Sequence, residues 1–168
     1  MAAVSRGAMP RSIRWFCLAA VVALLDYASK IAVLGFLAPG ESRVLTPFFN
    51  LVLVFNKGAA FSFLAGAEGW QTLFFAAIAV VASVAISFLI YKYEKRVLFC
   101  WGLALILGGA LGNLYDRIVY GHVVDFLDFH ALGWHWPAFN VADSAITVGA
   151  GILIVESFLQ KKPNETPA

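Results

Sequence analysis

Charge is scarce in this sequence. Twelve Lys and Arg and ten Asp and Glu make up 13% of its 168 residues, against 61% hydrophobic. With a mean hydropathy of +0.82, that scarcity excludes a soluble globular domain. A net charge of +2, with the basic residues in no single patch, excludes a nucleic-acid partner. Cysteine is scarce too. Cys17 and Cys100 lie far apart in apolar segments, which excludes a disulfide framework and suits two buried thiols acting as small hydrophobes. Several hydrolase signatures are missing. There is no HExxH for a zinc metallopeptidase. The three histidines (His122, His130 and His135) have no nucleophile elbow and no cysteine beside them. No internal repeat of solenoid period occurs.

Long apolar runs are what the chain has instead. Four reach the roughly 20 residues that cross a bilayer, at about 13–35, 71–90, 97–115 and 140–159. The first follows Arg6, Arg11 and Arg14 as a secretory signal would. It is too long for such a signal, however, and Asp26 and Lys30 interrupt it, so it reads as a retained helix. The expected fold class is an all-α membrane protein, a single integral membrane domain over residues 1–168. Four transmembrane helices would carry outer segments 36–69 and 116–139. The first outer segment, VLTPFFNLVLVFNKGAAFSF, is rich in β-branched and aromatic residues with a turn signal at Asn56-Lys57-Gly58. It predicts short strands forming a small β-rich segment on the outer membrane surface of the bundle. The second has Gly121, Gly133 and Pro137 as breakers and reads as loop. Disordered tails are expected up to about residue 10 and from Lys161 onward.

Basic residues set the orientation. Eight of the twelve lie in the N-terminal tail, the loop holding Lys92, Lys95 and Arg96, and the tail holding Lys161 and Lys162. Four spans put all eight on one side, which the positive-inside rule makes cytoplasmic. Trp15, Trp70, Trp101, Trp134 and Trp136 then all fall near an interface.

The acids gather on the other side. Asp116, Asp125, Asp128 and Asp143 fall between Gly108 and Ser144 with Asn113, Arg117 and Asn140 among them. Acids beside membrane spans are costly and mark function. Asp116 and Arg117 are expected just past the third span, Asp143 in the first turn of the fourth, and Asp125 in the loop between. Asp26 lies about 20 Å up the first helix at 1.5 Å per residue. Lys30, four residues on, shares its face. Separate segments thus deliver polar groups to one layer. Two aspartates held close share a proton, so that one serves as base and the other as acid, and such a pair activates water without a metal or a covalent intermediate.

Simpler roles compete. Asp116 and Arg117 suit a helix-end ion pair, Asn140 and Asp143 suit caps of the fourth helix, and Asp128 suits a solvated loop acid. Gly108, Gly109 and Gly112 suit close helix packing, Asp26 with Lys30 an intramembrane brace, and the histidines interfacial loop positions. Two other functions fit parts of the pattern. A small ion- or proton-coupled transporter would use the acids as a relay, although the polar groups stop at one interface. His122, Asp125, Asp128 and His130 have spacings that a divalent metal would accept.

The blocks NKGAAFS at 56–62, GGALGNLYDR at 108–117, GHVVDF at 121–126 and FNVADSA at 139–145 resemble, in order, the signature blocks of bacterial lipoprotein signal peptidase (signal peptidase II). Asp26 with Lys30 matches that family too, and the resemblance runs over about residues 13–160. It implies a four-helix aspartyl endopeptidase of the bacterial cytoplasmic membrane, acting on the periplasmic side with both termini cytoplasmic. Such an enzyme removes the signal peptide of a diacylated prolipoprotein just before the lipid-modified cysteine. By resemblance Asp125 and Asp143 are catalytic. Asn56, Asn113, Arg117 and Asn140 match polar residues around the site, and Asp26, Lys30 and Asp116 match residues that support it. The segment 44–64 corresponds to a membrane-surface cradle over the substrate. Neither cofactor nor metal is implied. The partners are prolipoprotein and membrane lipid, and the chain is expected to be a monomer.

Overall fold

Apolar length decides the helices. A computed structural model describes residues 10–58 and 70–160, and within them four helices are long and apolar enough to cross a membrane. They are α1 Ser12–Phe36, α2 Trp70–Lys92, α3 Val97–Tyr120 and α4 Val141–Leu159. The expectations for the two tails, and for the part of the cradle segment beyond residue 58, fall outside the described residues.

The third helix is the axis, packed against the other three. Its glycines explain how. A Cβ on Gly108 would lie 2.6 Å from the Ala19 carbonyl oxygen of α1, and one on Gly109 would strike the Ala142 carbonyl of α4. Gly102 and Gly149 meet across the α3–α4 contact in the same way, each within 3 Å of the other's carbonyl oxygen. Small residues here let backbones touch where lipid offers no hydrophobic drive for association. At one end, Trp15, Ile90, Cys100, Leu103 and Leu107 form a core. There the Ser12 amide donates to Glu94, and Arg96 pairs with Glu156 at 2.7 Å.

The other end carries a sheet. Strands β1 Ser42–Thr46, β2 Phe49–Asn56, β3 Val123–Ala131 and β4 Trp134–His135 lie in that order, all neighbours antiparallel. Val33 and Leu37 at the end of α1 pack on Leu53, Val124 and Phe126, which seats the sheet on the bundle. The β1–β2 and β3–β4 turns lie together at its far end, where the His130 amide bonds to the Phe48 carbonyl.

Three sequence expectations change. Helix α3 runs to Tyr120 and stops at Gly121, whose φ of 73° ends it in the left-handed conformation; Asp116 and Arg117 are therefore within the helix rather than beyond it. The second outer segment, expected as loop, carries strands β3 and β4, because β3 finds a partner in β2. The turn expected at Asn56-Lys57-Gly58 is present at the end of β2. Asn56 accepts from the Gly58 amide to close the end of β2, while the hairpin turn falls at Pro47 and Phe48. Cys17 is exposed on α1, and only Cys100 is buried.

Candidate active site

Each polar group of the site is delivered by a different element. Asp26 and Lys30 come from α1, Asn56 from the end of β2, and Asn113, Asp116 and Arg117 from the last turns of α3. Asp125 comes from β3, and Asn140 with Asp143 from the start of α4. Asp26, Lys30, Asp116, Asp125 and Asn140 are all buried.

Lys30 is the hub. Its Nζ lies 2.7 Å from Asp26 and 2.8 Å from Asp116, and it donates to Asn113 Oδ1 at 3.0 Å. All three ammonium donors thus have acceptors, the condition under which a buried cation is tolerated. The two carboxylates pass the constraint on. Asp26 accepts from the Ala142 amide at 2.8 Å, and Asp116 from the Val124 amide at 3.1 Å. One ion triad therefore ties down the backbone next to Asp125 and next to Asp143. Asp116 pairs with Lys30 rather than with Arg117, so the helix-end ion pair is replaced by this triad.

Lys30 also orients an amide. An ammonium only donates, so Asn113 must turn its oxygen toward Lys30 and its Nδ2 toward Asp143, to which it donates at 2.7 Å. Asn140 does the same for the other carboxylate, donating from Nδ2 to Asp125 Oδ1 at 2.7 Å. It contacts Asn113 Oδ1 at 3.2 Å as well, so the two amides bridge the two aspartates. Asn56 completes the shell of Asp125 by donating to Oδ2 at 2.9 Å.

Asn140 is also a helix cap. Its side chain accepts from the Asp143 amide at 2.9 Å, and Asp143 accepts from the Asn140 amide at 3.3 Å, a capping box at the start of α4. Capping and site geometry are thus one arrangement. Arg117 donates to the Asn113 carbonyl at 3.2 Å and lies over the Phe75 ring.

Burial pushes the Asp125 carboxyl up to about 7. The neighbouring charge of Asp143 adds to this, and the amides of Asn56 and Asn140 offset part of it. Asp143 lines an open cleft of about 660 Å³, together with Asn56, Trp136 and Phe139 on the sheet side and Thr147 and Val148 further along α4. Asp125 is buried and hydrogen-bonded to Asn56 of the cleft wall.

Asp128 was expected as a solvated loop acid and is not one. It is buried on β3, accepts from Asn50 at 2.9 Å, and meets His135 Nδ1 at 2.9 and 3.0 Å. Burial pushes its carboxyl up, but the bonds from His135 and Asn50 outweigh that and hold it below the ordinary value. Three residues from Asp125 along a strand, its side chain leaves by the opposite face. The metal set of His122, Asp125, Asp128 and His130 is accordingly not assembled. Among the described residues, no three His, Cys, Asp or Glu side chains group as metal ligands. His122 instead packs at a tilt against Phe55, and His130 stacks on His135. Sequence reasoning missed Asn50, since nothing local marks its cross-strand pairing with Asp128.

Four membrane helices with paired carboxylates held by amides at one end define an aspartic-type peptidase of the membrane. The family model described as Signal peptidase (SPase) II matches residues 18–159, and the chain belongs to that family. Curated relatives named lipoprotein signal peptidase include one from Ralstonia nicotianae, 58% identical over 84% of this chain and 82% of its own length. Another, from Cupriavidus necator, is 54% identical over 90% of this chain and 87% of its own. A solved bacterial membrane enzyme superposes with a TM-score of 0.78 at 29% identity, covering 89% of this chain and 94% of that one. The transporter reading finds no support among them.

Proposed function

We propose that this peptidase removes the signal peptide of diacylglyceryl-modified prolipoproteins immediately before the modified cysteine, with Asp125 and Asp143 as its catalytic pair. One observation carries the reading: an Asn140–Asn113 bridge holds two carboxylates from unrelated elements beside a cleft that runs from a membrane helix to the sheet. Near neutral pH, Asp125 keeps a proton because it is buried beside Asp143. It polarises the scissile carbonyl and then protonates the leaving nitrogen. Asp143 receives donors from Asn113 and Asn140 at the N-terminal end of α4, where the helix dipole favours negative charge. It takes the proton from the attacking water. Asn56, Asn113, Arg117 and Asn140 hold the pair and the substrate, and Asp26, Lys30 and Asp116 brace them.

The enzyme works in a bilayer with its termini cytoplasmic and its site periplasmic, an orientation that the distribution of basic residues supports. The test is cleavage of a diacylated prolipoprotein by purified protein, with Asp125 and Asp143 each changed to Asn. Normal turnover by either variant would remove it from the pair.

A further inference from the structure

The cleft beside Asp143 does not end at the site. Trp136 and Phe139, which form its sheet-side wall, also line a second cavity of about 410 Å³ with Phe48, Phe129, His130 and Trp134. The two share this wall and lie side by side, from Thr147 and Val148 on α4, past Asp143, to the far end of the sheet. The distal cavity is unusual for the surface of an outer domain. Aromatic rings dominate it, and among the described residues no Lys, Arg, Asp or Glu lines it.

The walls are stiffly held. Phe129 stacks on Phe139 and packs at a tilt against Phe49, with ring centroids 5.9 and 4.8 Å away, and Trp134 meets Trp136 edge-on at 5.7 Å. The Trp136 amide bonds to the Phe129 carbonyl at 2.8 Å, and the Phe139 amide to that of Leu127 at 3.1 Å. Behind them the buried Asp128 grips His135, and His130 reaches Asn50 at 3.3 Å. A hydrogen-bonded scaffold thus backs a pocket whose lining is apolar. Preformed apolar walls of this kind suit a small, repeatedly used ligand group.

We infer that this aromatic pocket is a subsite for an apolar side chain in the first residues of the mature lipoprotein, downstream of the scissile bond. The inference rests on the proposed function. Polarity along the two cavities gives the direction. The signal peptide is apolar and must run beside the membrane-spanning part of α4, at the Thr147 and Val148 end. The bond to be cut then meets Asp143, and the chain beyond it leaves along Trp136 and Phe139. A charged residue there would be desolvated without a partner, whereas an apolar or aromatic one would be buried among rings.

The test uses the full-length enzyme in lipid vesicles and a series of diacylated prolipoproteins. Each of the first four positions after the modified cysteine is set in turn to Ser, Leu, Trp or Asp. Trp134→Ala and Phe48→Ala are compared with the unaltered enzyme. Both side chains are more than half exposed and neither borders the Asp143 cleft, so folding and basal cleavage of the all-Ser substrate are retained. At one position, Leu and Trp are expected to lower KM about tenfold over Ser, and Asp to raise it. Both variants are expected to erase that preference with kcat unchanged. A preference surviving in both variants, or none in the unaltered enzyme, overturns the subsite. An effect of Trp134→Ala that follows the substrate's acyl-chain length rather than residue identity also overturns it, in favour of a lipid-chain pocket. Failure of the unaltered enzyme to cut the all-Ser precursor speaks against the proposed function itself, and is read separately from the preference.

Discussion

At the scale of single residues, the site is a set of donors and acceptors with each direction fixed. Asp125→Asn and Asp143→Asn are each expected to abolish cleavage in a folded protein, because Asn keeps the shape of Asp but exchanges no proton. The double variant should be little worse than either single one, since groups acting as a unit are non-additive. Turnover, substrate binding and thermal unfolding on the same preparations check this. Asp125 also sets a pH dependence. Its carboxyl titrates at about 7 in the folded protein, against about 3.9 in an unfolded chain. A raised carboxyl adds stability that is complete below the unfolded value and lost as pH rises through the folded one. Unfolding curves should therefore show stability falling between about pH 4 and 7, and Asp125→Asn should flatten that fall. Cleavage should decline as pH rises through about 7, where Asp125 gives up its proton. Strong chelators should leave the rate unchanged, since the pair itself supplies acid and base. A loss restored by zinc or manganese would contradict that. Asp128→Asn should keep most of the rate per folded molecule, because the side chain leaves β3 on the face away from Asp125. It should still cost about 1–3 kcal/mol of stability through the weakened His135 and Asn50 bonds, measurable as a lowered Tm.

At the scale of elements, the closeness of α3 to its neighbours decides whether the site forms. Gly109 lies against the Ala142 carbonyl, one residue before Asp143, so Gly109→Ala has only backbone to push against. Separation of α3 from α4 there should stretch the Asn113–Asp143 bond. The expected result is a stability loss of about 1–3 kcal/mol together with most of the activity. Gly151→Ala, with nothing within 4 Å of its added Cβ, should change neither; thermal unfolding in detergent and turnover compare the two. The helices themselves were legible in the sequence, because bilayer crossing demands an apolar run of known length. Asp26 and Lys30 were legible as a pair because an i,i+4 spacing is local. The overrun of α3 to Tyr120 was missed because hydropathy ends where Asp116 begins, although Gly121 was the stop signal in plain view. What stayed hidden was long-range pairing. Neither the contact of Lys30 with Asp116, far along the chain, nor the register of Asn50 on Asp128 leaves a local trace. For that reason β3 read as loop and Asp128 as solvated.

At the scale of the whole molecule, the two ends of the bundle are built for different tasks. One end is closed by Trp15, the Glu94 contacts and the Arg96–Glu156 pair, with Lys92, Lys95 and Arg96 beside them. The other opens into the sheet, the carboxylate pair and the cleft. Positive charge near a span resists translocation, so the closed end should face the cytoplasm and the open end the periplasm. Single cysteines at positions 57 and 95 report on the two ends. Lys57 borders a cavity of about 460 Å³ with Arg117 at the open end, and Lys95 lies in the α2–α3 connection at the closed one. The background must lack Cys17, which is exposed, whereas Cys100 is buried and can stay. An impermeant maleimide added to intact spheroplasts should label position 57 and spare position 95, and permeabilisation should expose both. Labelling of 95 alone in intact cells would invert the molecule. The carboxylate pair would then face the cytoplasm, where the emerging end of a signal peptide never arrives, and the proposed cleavage could not occur at this site.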